Sequence, residues 1–194
     1  MQALKYLDNN HPFHNLIDKE IGYGADGQIF SLKNSNKVLK VSILFEYSKF
    51  FERDYNLIVK NIRYLQENPN NLFVNIYDFN FELDGLRKTF NGNQRFKVYS
   101  YYMEKLNKLS QDENIVFDKI GDLDALYFDN DFYKSVVKMI GDLKHLSFDR
   151  DKVLDFCKGL LNTNIFQEDY HIANLMKDDC GNFKFIDIDR IKIY

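Results

Sequence analysis

The sequence predicts an α+β fold in which an antiparallel sheet of about five strands, with one helix, precedes a helical C-terminal part. Three observations predict it. Residues 19–44 contain strand-like segments joined by short turns, residues 47–66 carry a helical apolar stripe, and residues 107–163 carry further helical stripes. With 194 residues, of which 45% are hydrophobic, the chain has the length of one domain and enough apolar side chains for a packed core.

The first element is a glycine loop. Gly22, Gly24 and Gly27 form a G-x-G-x-x-G pattern, which dinucleotide-binding and kinase-like proteins both use because glycine lets the backbone approach phosphate oxygens. A dinucleotide-binding loop opens a helix, whereas residues 28–32 alternate polar and apolar side chains as a half-buried strand does. The pattern therefore predicts a hairpin, and an ordinary tight hairpin without a ligand is the alternative.

The next predicted strand carries a lysine. Residues 37–44 are rich in β-branched side chains and contain Lys40. Because side chains alternate along a strand, Lys40 faces opposite to Leu39 and Val41 and can point beneath the loop at phosphate groups. A solvated strand lysine is the alternative for Lys40 alone, but its position after the glycine loop favours a role in binding.

The middle of the chain predicts one helix and two more strands. The helix covers residues 47–66 and stops at Asn68-Pro69. The strands cover residues 73–82 and 96–103, with turns at Asp84-Gly85 and around Gly92. The apolar stripe of the helix consists of Phe51, Tyr55, Ile58, Ile62 and Leu65.

Two helices are predicted most clearly in the C-terminal part, and we interpret their apolar stripes as core. The second helix follows Asp149, a candidate N-cap. The first stripe, from about Asp131, contains Phe132, Val136, Val137, Ile140 and Leu143, and the second contains Val153, Phe156, Cys157, Leu160 and Leu161.

Polar side chains near the end of the chain follow short apolar segments. Asp169, Asn174 and Asp187 occur in the order in which a phosphoryl-transfer site collects a base and two metal ligands. A single carboxylate in a polar loop is more often a turn former or a helix cap. The shared order with the glycine loop and Lys40 favours the functional interpretation.

Taken together, these motifs resemble those of the protein-kinase-like superfamily. Gly22, Gly24 and Gly27, with Ile29 after them, resemble the glycine-rich loop. Residues 38–40, Val-Leu-Lys, resemble the lysine motif of the third strand. The resemblance covers essentially the whole chain, but only its motifs are specific.

The C-terminal motifs complete the resemblance. Residues 169–174 read D-x-H-x-x-N and resemble the catalytic loop, in a form similar to aminoglycoside phosphotransferases and to phage host-shutoff Ser/Thr kinases. Asp187 resembles the metal-binding Asp that opens the activation segment. By resemblance, His171 orients Asp169 or contacts a phosphate, and Asp189 helps with a second metal ion.

The resemblance implies a bilobal fold with ATP and Mg²⁺ as cofactors, an N-lobe over residues 1–104 and a short C-lobe over residues 105–194. It assigns catalytic roles to Asp169, Lys40 and His171; nucleotide contacts to Gly22, Gly24, Gly27, Ile29, Val38, Lys40, Glu52, Met103, Glu104 and Leu106; and metal ligation to Asn174, Asp187 and Asp189.

Two of these assignments have alternatives. Glu52 is expected to pair with Lys40 from the predicted helix, but Glu46, Asp54 and Glu67 are also candidates, and a solvated helix charge is the simpler explanation. Residues 101–106 resemble the kinase hinge, with Met103 guarding a back pocket and backbone groups of Glu104 and Leu106 bonding adenine. Since backbone atoms do this work, an ordinary edge strand fits these residues nearly as well.

The chain departs from the kinase pattern in three places. Gln167-Glu168 replaces the usual His-Arg, Ile188-Asp189 replaces the usual Phe-Gly, and the sequence ends at Tyr194 without an Ala-Pro-Glu motif. The resemblance therefore implies a mini-kinase that lacks the activation segment and the later helices. Bacterial effector mini-kinases, which bind host proteins, are shortened in a similar way.

Composition narrows the function classes. The formal net charge of −3 argues against nucleic acid as the main ligand, and no apolar stretch approaches the roughly 20 residues of a membrane span. Two cysteines without a C-x-x-C partner suggest reduced thiols in a cytosol, including that of an infected host cell. The leading expectation is a cytoplasmic protein Ser/Thr kinase acting on a host protein. The alternatives are a small-molecule phosphotransferase and a nucleotide-binding module that acts through protein contact.

Overall fold

The computed structural model describes residues 3–24, 27–47, 51–90, 92–123, 129–167, 171–188 and 191–193. The chain forms two units. Unit 1 comprises Met1–Asn68 and Asn75–Lys105, and unit 2 comprises Pro69–Val74 and Leu106–Tyr194. The main change of unit thus comes after Lys105, and a short segment before it, residues 69–74, belongs with the C-terminal residues.

Unit 1 is built on a five-stranded antiparallel sheet of strand order β1-β2-β3-β5-β4. The sheet confirms the predicted α+β class and the predicted number of strands. Its elements are a 3-10 helix at Ala3–Tyr6, α1 at Pro12–Leu16, β1 at Ile17–Tyr23, β2 at Gly27–Leu32, β3 at Lys37–Phe45, α2 at Phe51–Glu67, β4 at Ile76–Thr89 and β5 at Gly92–Glu104.

The two faces of this sheet have different covers. One face packs against the 3-10 helix and α1, which the sequence did not predict. The buried cluster on that side consists of Ala3, Leu7, Phe13, Phe30, Leu39, Val41, Ile43, Phe45, Phe96 and Val98. The other face carries α2, whose Tyr55 ring lies 6.0 Å from the Tyr99 ring and 6.1 Å from the Phe81 ring.

Helix α2 confirms the sequence-based prediction in its position and in most of its stripe. It ends at Glu67, immediately before Asn68-Pro69. Phe51, Ile58, Ile62 and Leu65 are buried in it as expected, and Asn61 is buried as well, which the apolar stripe did not indicate.

The prediction of a turn at Asp84-Gly85 is wrong. These residues lie inside β4, where Asp84 is opposite Lys97 and Gly85 is opposite Phe96, and the chain turns only after Thr89. A Cβ at position 85 would lie 2.6 Å from the Phe96 ring. The glycine therefore makes room for a cross-strand aromatic side chain and does not form a turn.

Unit 2 combines three helices with two small sheets. Its elements are α3 at Gln111–Gly121, α4 at Asn130–Asp142, α5 at Arg150–Asn162, β6 at Ile165–Gln167, a 3-10 helix at Ile172–Asn174, β7 at Leu175–Lys177, β8 at Phe183–Phe185 and β9 at Ile191–Ile193. β6 pairs with β9, and β7 pairs with β8 as a hairpin. None of the described helices is both long and apolar enough to cross a membrane.

Residues 69–74 join unit 2 beside β8. The Val74 amide donates a hydrogen bond to the Phe185 carbonyl at 2.9 Å, and the Phe185 amide donates to the Leu72 carbonyl at 2.8 Å. The core next to β8 is aromatic, with the Phe117 and Phe183 ring centroids 4.7 Å apart.

The helices of unit 2 begin at caps. The Asp149 side chain accepts a hydrogen bond from the Lys152 amide and caps α5 as predicted, and Asp129 caps α4 in the same manner. Val137 is 44% exposed, so its assignment to the core is wrong. Successive helical residues are separated by about 100° around the axis, and in α4 the buried position belongs to its neighbour Val136.

Candidate functional site

The glycine loop is a hairpin between β1 and β2, as predicted. β1 ends at Tyr23, β2 begins at Gly27, and the Gly24 amide donates to the Gly27 carbonyl at 2.9 Å. Ala25 and Asp26 lie outside the described residues. Because a strand and not a helix follows Gly27, the loop does not have the dinucleotide-binding arrangement.

The three glycines of the loop are not equivalent. A Cβ at Gly27 would lie 2.7 Å from the Val41 carbonyl oxygen, so the packing of β2 on β3 requires glycine there. A Cβ at Gly22 would make only ordinary contacts with Ile29, and one at Gly24 would meet nothing within 4 Å. Neither has a positive φ. Packing therefore explains why position 27 is a glycine. It does not explain the glycines at positions 22 and 24, for which the close approach of a ligand is another reason.

Lys40 lies on the face of the sheet that carries α2. It is opposite Ile29 of β2 and Tyr101 of β5, and its Nζ lies 5.6 Å from the centroid of the Tyr101 ring. Two residues along β3, on the same face, Val38 is opposite Met103, and both side chains are buried. The structure thus brings together four predicted nucleotide contacts, Ile29, Val38, Lys40 and Met103, on one face of three adjacent strands.

Glu52 lies with other cations. Its Oε1 atom is 2.6 Å from an Arg95 guanidinium nitrogen, and its Oε2 atom is 3.5 Å from Lys97 Nζ. Lys97 is opposite Leu44 of β3. Leu44 is four residues from Lys40 in the same strand, which is a separation of about 13 Å when the strand is extended. These contacts do not support the predicted Glu52–Lys40 pair, because the first turn of α2 lies near the far end of β3.

Glu104 is bonded to the start of β4. Its amide donates to the Asn75 carbonyl at 3.0 Å, and its Oε1 atom accepts from the Asn75 amide at 2.7 Å. The Glu104 amide is therefore already engaged within unit 1, which does not support the predicted hydrogen bond from this amide to adenine. Leu106 is half-buried and belongs to unit 2.

In unit 2, Asn174 and Asp187 lie on neighbouring chain segments. Leu175 is opposite Phe185 in the β7–β8 hairpin, and the Ile186 amide donates to the Asn174 carbonyl at 2.8 Å, which extends the ladder by one step. Asp187 is the next residue. Asn174, with its side-chain amide, and Asp187, with its carboxylate, therefore occupy adjacent backbone positions at one end of the hairpin. Both residues are half-buried.

His171 caps the short 3-10 helix that leads to Asn174. Its Nδ1 atom accepts a hydrogen bond from the Ala173 amide at 3.1 Å, which holds the imidazole ring against the backbone. Asp169 and Asp189 lie outside the described residues. The roles assigned to these two carboxylates, and the orientation of Asp169 by His171, therefore stay predictions.

The chemistry of the Asn174 and Asp187 side chains suits a hard cation. Mg²⁺ prefers oxygen ligands and usually binds one or two protein carboxylates together with water and substrate phosphates. Among the described residues, no three His, Cys, Asp or Glu side chains form a cluster that could hold a metal ion. An amide oxygen and one carboxylate at the end of a hairpin fit a magnesium site that is completed by a nucleotide.

Glu113 and Lys177 support this hairpin, and the motif analysis missed them. Lys177 Nζ lies 2.8 Å from both carboxylate oxygens of Glu113, and Lys177 and Asn107 exchange two backbone hydrogen bonds. The Ser110 amide donates to Glu113 Oε2 and the Glu113 amide donates to Ser110 Oγ, which forms a capping box at α3. The S-x-x-E spacing of residues 110–113 is the signal that could have identified this cap.

The environment of Glu113 keeps its side chain ionised. Burial raises the pKa of this carboxyl, but hydrogen bonds from Lys177 and Ser110 outweigh burial, so the pKa lies below its usual value. The ionised Glu113 therefore links the start of α3 to β7, which follows Asn174 directly.

A scan against protein-family models and a search of curated proteins find no match for this chain.

Proposed function

We propose that this chain is an Mg-ATP-dependent phosphotransferase, and specifically a protein Ser/Thr kinase. The observation that carries the proposal is the backbone hydrogen bond from Ile186 to Asn174, which brings the residues Asn174 and Asp187 into adjacent positions at the end of one hairpin. Phosphoryl transfer requires little covalent chemistry from a protein, and catalysis depends on positioning and on neutralising charge. The residues described here supply groups for both tasks.

Unit 1 would supply the nucleotide-binding groups. Gly22 and Gly24 leave space for phosphate oxygens beside the loop amides, and Lys40 would neutralise phosphate charge from the same sheet. Val38 and Met103, which are buried and opposite each other, would form the apolar back of the adenine site. The geometry of the sheet supports this division because these groups belong to β1, the loop after it, β3 and β5.

Unit 2 would supply the metal-binding and acceptor-binding groups. Asn174 and Asp187 would hold Mg²⁺, which when bound neutralises the charge of the transferred phosphoryl group. Asp169 would orient the acceptor hydroxyl and accept its proton, and His171 would support that segment from its cap on Ala173. A protein as acceptor rests only on the resemblance to phage-type kinases.

Calorimetric titration with ATP tests the metal site. We expect ATP to bind more tightly with Mg²⁺ than with EDTA, and we expect Asp187→Ala to lose most of that difference because it removes the only charged ligand described in the site. Asp118→Ala, at an exposed position of α3, is the matched control and should bind like the wild type. Undiminished Mg²⁺-dependent binding by Asp187→Ala would contradict the assignment.

Radiolabelled phosphate transfer from ATP to proteins of a host-cell lysate tests catalysis. Asp169→Asn should reduce turnover by about a hundredfold or more, because it removes the acceptor-orienting base. Its ATP affinity should stay near that of the wild type because the other nucleotide-binding residues remain. If Asp169→Asn keeps the full biological effect of the wild-type protein although it transfers no phosphate, the chain acts by binding a partner and the catalytic proposal fails.

A further inference from the structure

The β4 edge of the unit 1 sheet is long and partly regular. In the described sheet, β4 pairs with β5 alone and is a terminal strand. Its ladder with β5 shifts register twice before Leu83, but from Leu83 to Thr89 it continues without a shift. β1, at the opposite edge, has two register shifts within its seven residues. Residues 83–89 are therefore the longest regular edge that the described sheet presents.

This edge belongs to a ribbon that extends beyond the rest of the sheet. β3 pairs with β5 only as far as Phe96, which is opposite Gly85 of β4, so β4 and β5 continue beyond this pair as a two-stranded hairpin. Apolar side chains are exposed on it, with Leu86 at 64% exposure and Phe90 fully exposed. An exposed regular edge with apolar side chains is a template for pairing with another strand.

The sequence of the edge is complementary to itself in one register. In a two-fold antiparallel pair, each residue at the axis faces its own copy, and residues equally distant from it face each other. With Leu86 at the axis, the two leucines meet and Asp84 of each copy faces Lys88 of the other. Side chains of these three residues share one face of the strand because side chains alternate.

Other registers lack this complementarity. An axis at Asp84, Arg87 or Lys88 places like charges directly opposite each other, which is destabilising. An axis at Gly85 pairs Asp84 with Leu86 and places Lys88 opposite Glu82, whose side chain is only 6% exposed and is already engaged by His11 and Ser100. The Asp84 side chain bonds Lys97 and Arg95 through its Oδ2 atom but is still 42% exposed, so it can also face a second lysine.

We propose that the chain forms a homodimer through antiparallel pairing of β4 with β4 of a second copy, with Leu86 at the two-fold axis. The partner is a second copy because the edge matches its own charge pattern. The paired segments, residues 83–89, extend the two sheets into one continuous sheet. The proposal does not depend on nucleotide binding or catalysis.

Sedimentation velocity over a range of protein concentrations tests the dimer. We expect a concentration-dependent monomer–dimer equilibrium that Leu86→Lys abolishes, because two ammonium groups would then meet at the axis. Leu57→Lys, at a leucine of α2 that is 46% exposed, is the matched control and should dimerise like the wild type. A wild-type protein that stays monomeric at every concentration, or a Leu86→Lys protein that still dimerises, would overturn the proposal.

Disulfide cross-linking tests the register. In a Cys180→Ser background, Leu86→Cys places two thiols opposite each other, with Cβ atoms about 5 Å apart, and mild oxidation should yield a covalent dimer. Lys88→Cys places them about 13 Å apart along the strands and should yield little. Cys157 is buried, and burial raises the pKa of its thiol to about 12, so it will not compete. Equal cross-linking at both positions, or none at position 86, would refute the Leu86 register.

Discussion

Glu113 stabilises the hairpin that carries the proposed metal ligands, although it is not a ligand itself. Its carboxylate accepts hydrogen bonds from the Ser110 amide at the start of α3 and from Lys177 at the end of β7. The Asn174 carbonyl is bonded on the same hairpin. Glu113, which lies outside the proposed metal site, therefore holds β7, the strand that begins directly after Asn174.

The pH dependence of stability should reveal this ion pair. Since the pKa of Glu113 is lower in the folded protein, its stabilisation is fully present above the unfolded pKa of about 4.3 and is lost as the pH falls through the folded pKa. We expect Glu113→Gln to lower the free energy of unfolding at pH 7 by about 1–3 kcal/mol. Urea denaturation at pH 7 and at successively lower pH measures this.

The matched control for that experiment is Glu67→Gln, at an exposed position at the end of α2. It should change stability little at any pH. If the difference in unfolding free energy between the wild type and Glu113→Gln stays constant as the wild-type Glu113 carboxyl is protonated, the side chain acts through its shape and not through its charge.

At the level of the elements, the glycine loop separates a packing requirement from a binding requirement. Gly27→Ala should destabilise unit 1 by about 1–3 kcal/mol, because the new Cβ would contact the Val41 carbonyl oxygen of β3. Gly24→Ala meets no neighbour and should change the free energy of unfolding by less than about 0.5 kcal/mol, but it should weaken ATP binding. Urea denaturation and calorimetry on both variants test this; equal destabilisation would contradict the distinction.

The sequence predicted the elements whose local signals agree with their packing. The hairpin after Gly22, the strand that contains Lys40 and the helix before Asn68 all follow from side-chain periodicity and terminal residues. The error at Asp84-Gly85 arose because this pair also favours turns, whereas here the glycine accommodates Phe96, a residue that is distant in sequence. The N-terminal helices were missed because they are only four and five residues long.

The candidate site was predictable to a similar depth. Periodicity identified the face of α2 that meets the sheet, but it does not give the level along the strands at which each turn packs. For that reason Glu52 was assigned to Lys40, although the structure places it beside Arg95 and Lys97. The adjacency of Asn174 and Asp187, by contrast, follows from the short apolar segments that the sequence showed in this region, which pair as β7 and β8.

For the whole molecule, ligand binding should appear as thermal stabilisation. If Mg-ATP binds only the folded chain, a concentration one hundred times the dissociation constant adds about 2.7 kcal/mol to stability, which corresponds to several degrees in Tm for a chain of this size. Differential scanning calorimetry should show this shift with Mg²⁺ and a smaller one with EDTA. An equal shift in both conditions would indicate binding that does not involve the metal site.

The assignment of residues 69–74 to unit 2 makes that unit discontinuous in the chain. Leu72 and Val74 bond Phe185 across a sequence distance of more than a hundred residues, so no single cut separates two complete units. A fragment that starts at Leu106 lacks residues 69–74, which lie beside β8, and one that ends at Lys105 carries this segment without β8. Co-expression of the two fragments should therefore restore a folded, soluble assembly that neither fragment forms alone, and this makes the bond after Lys105 a natural site for a split-protein reporter.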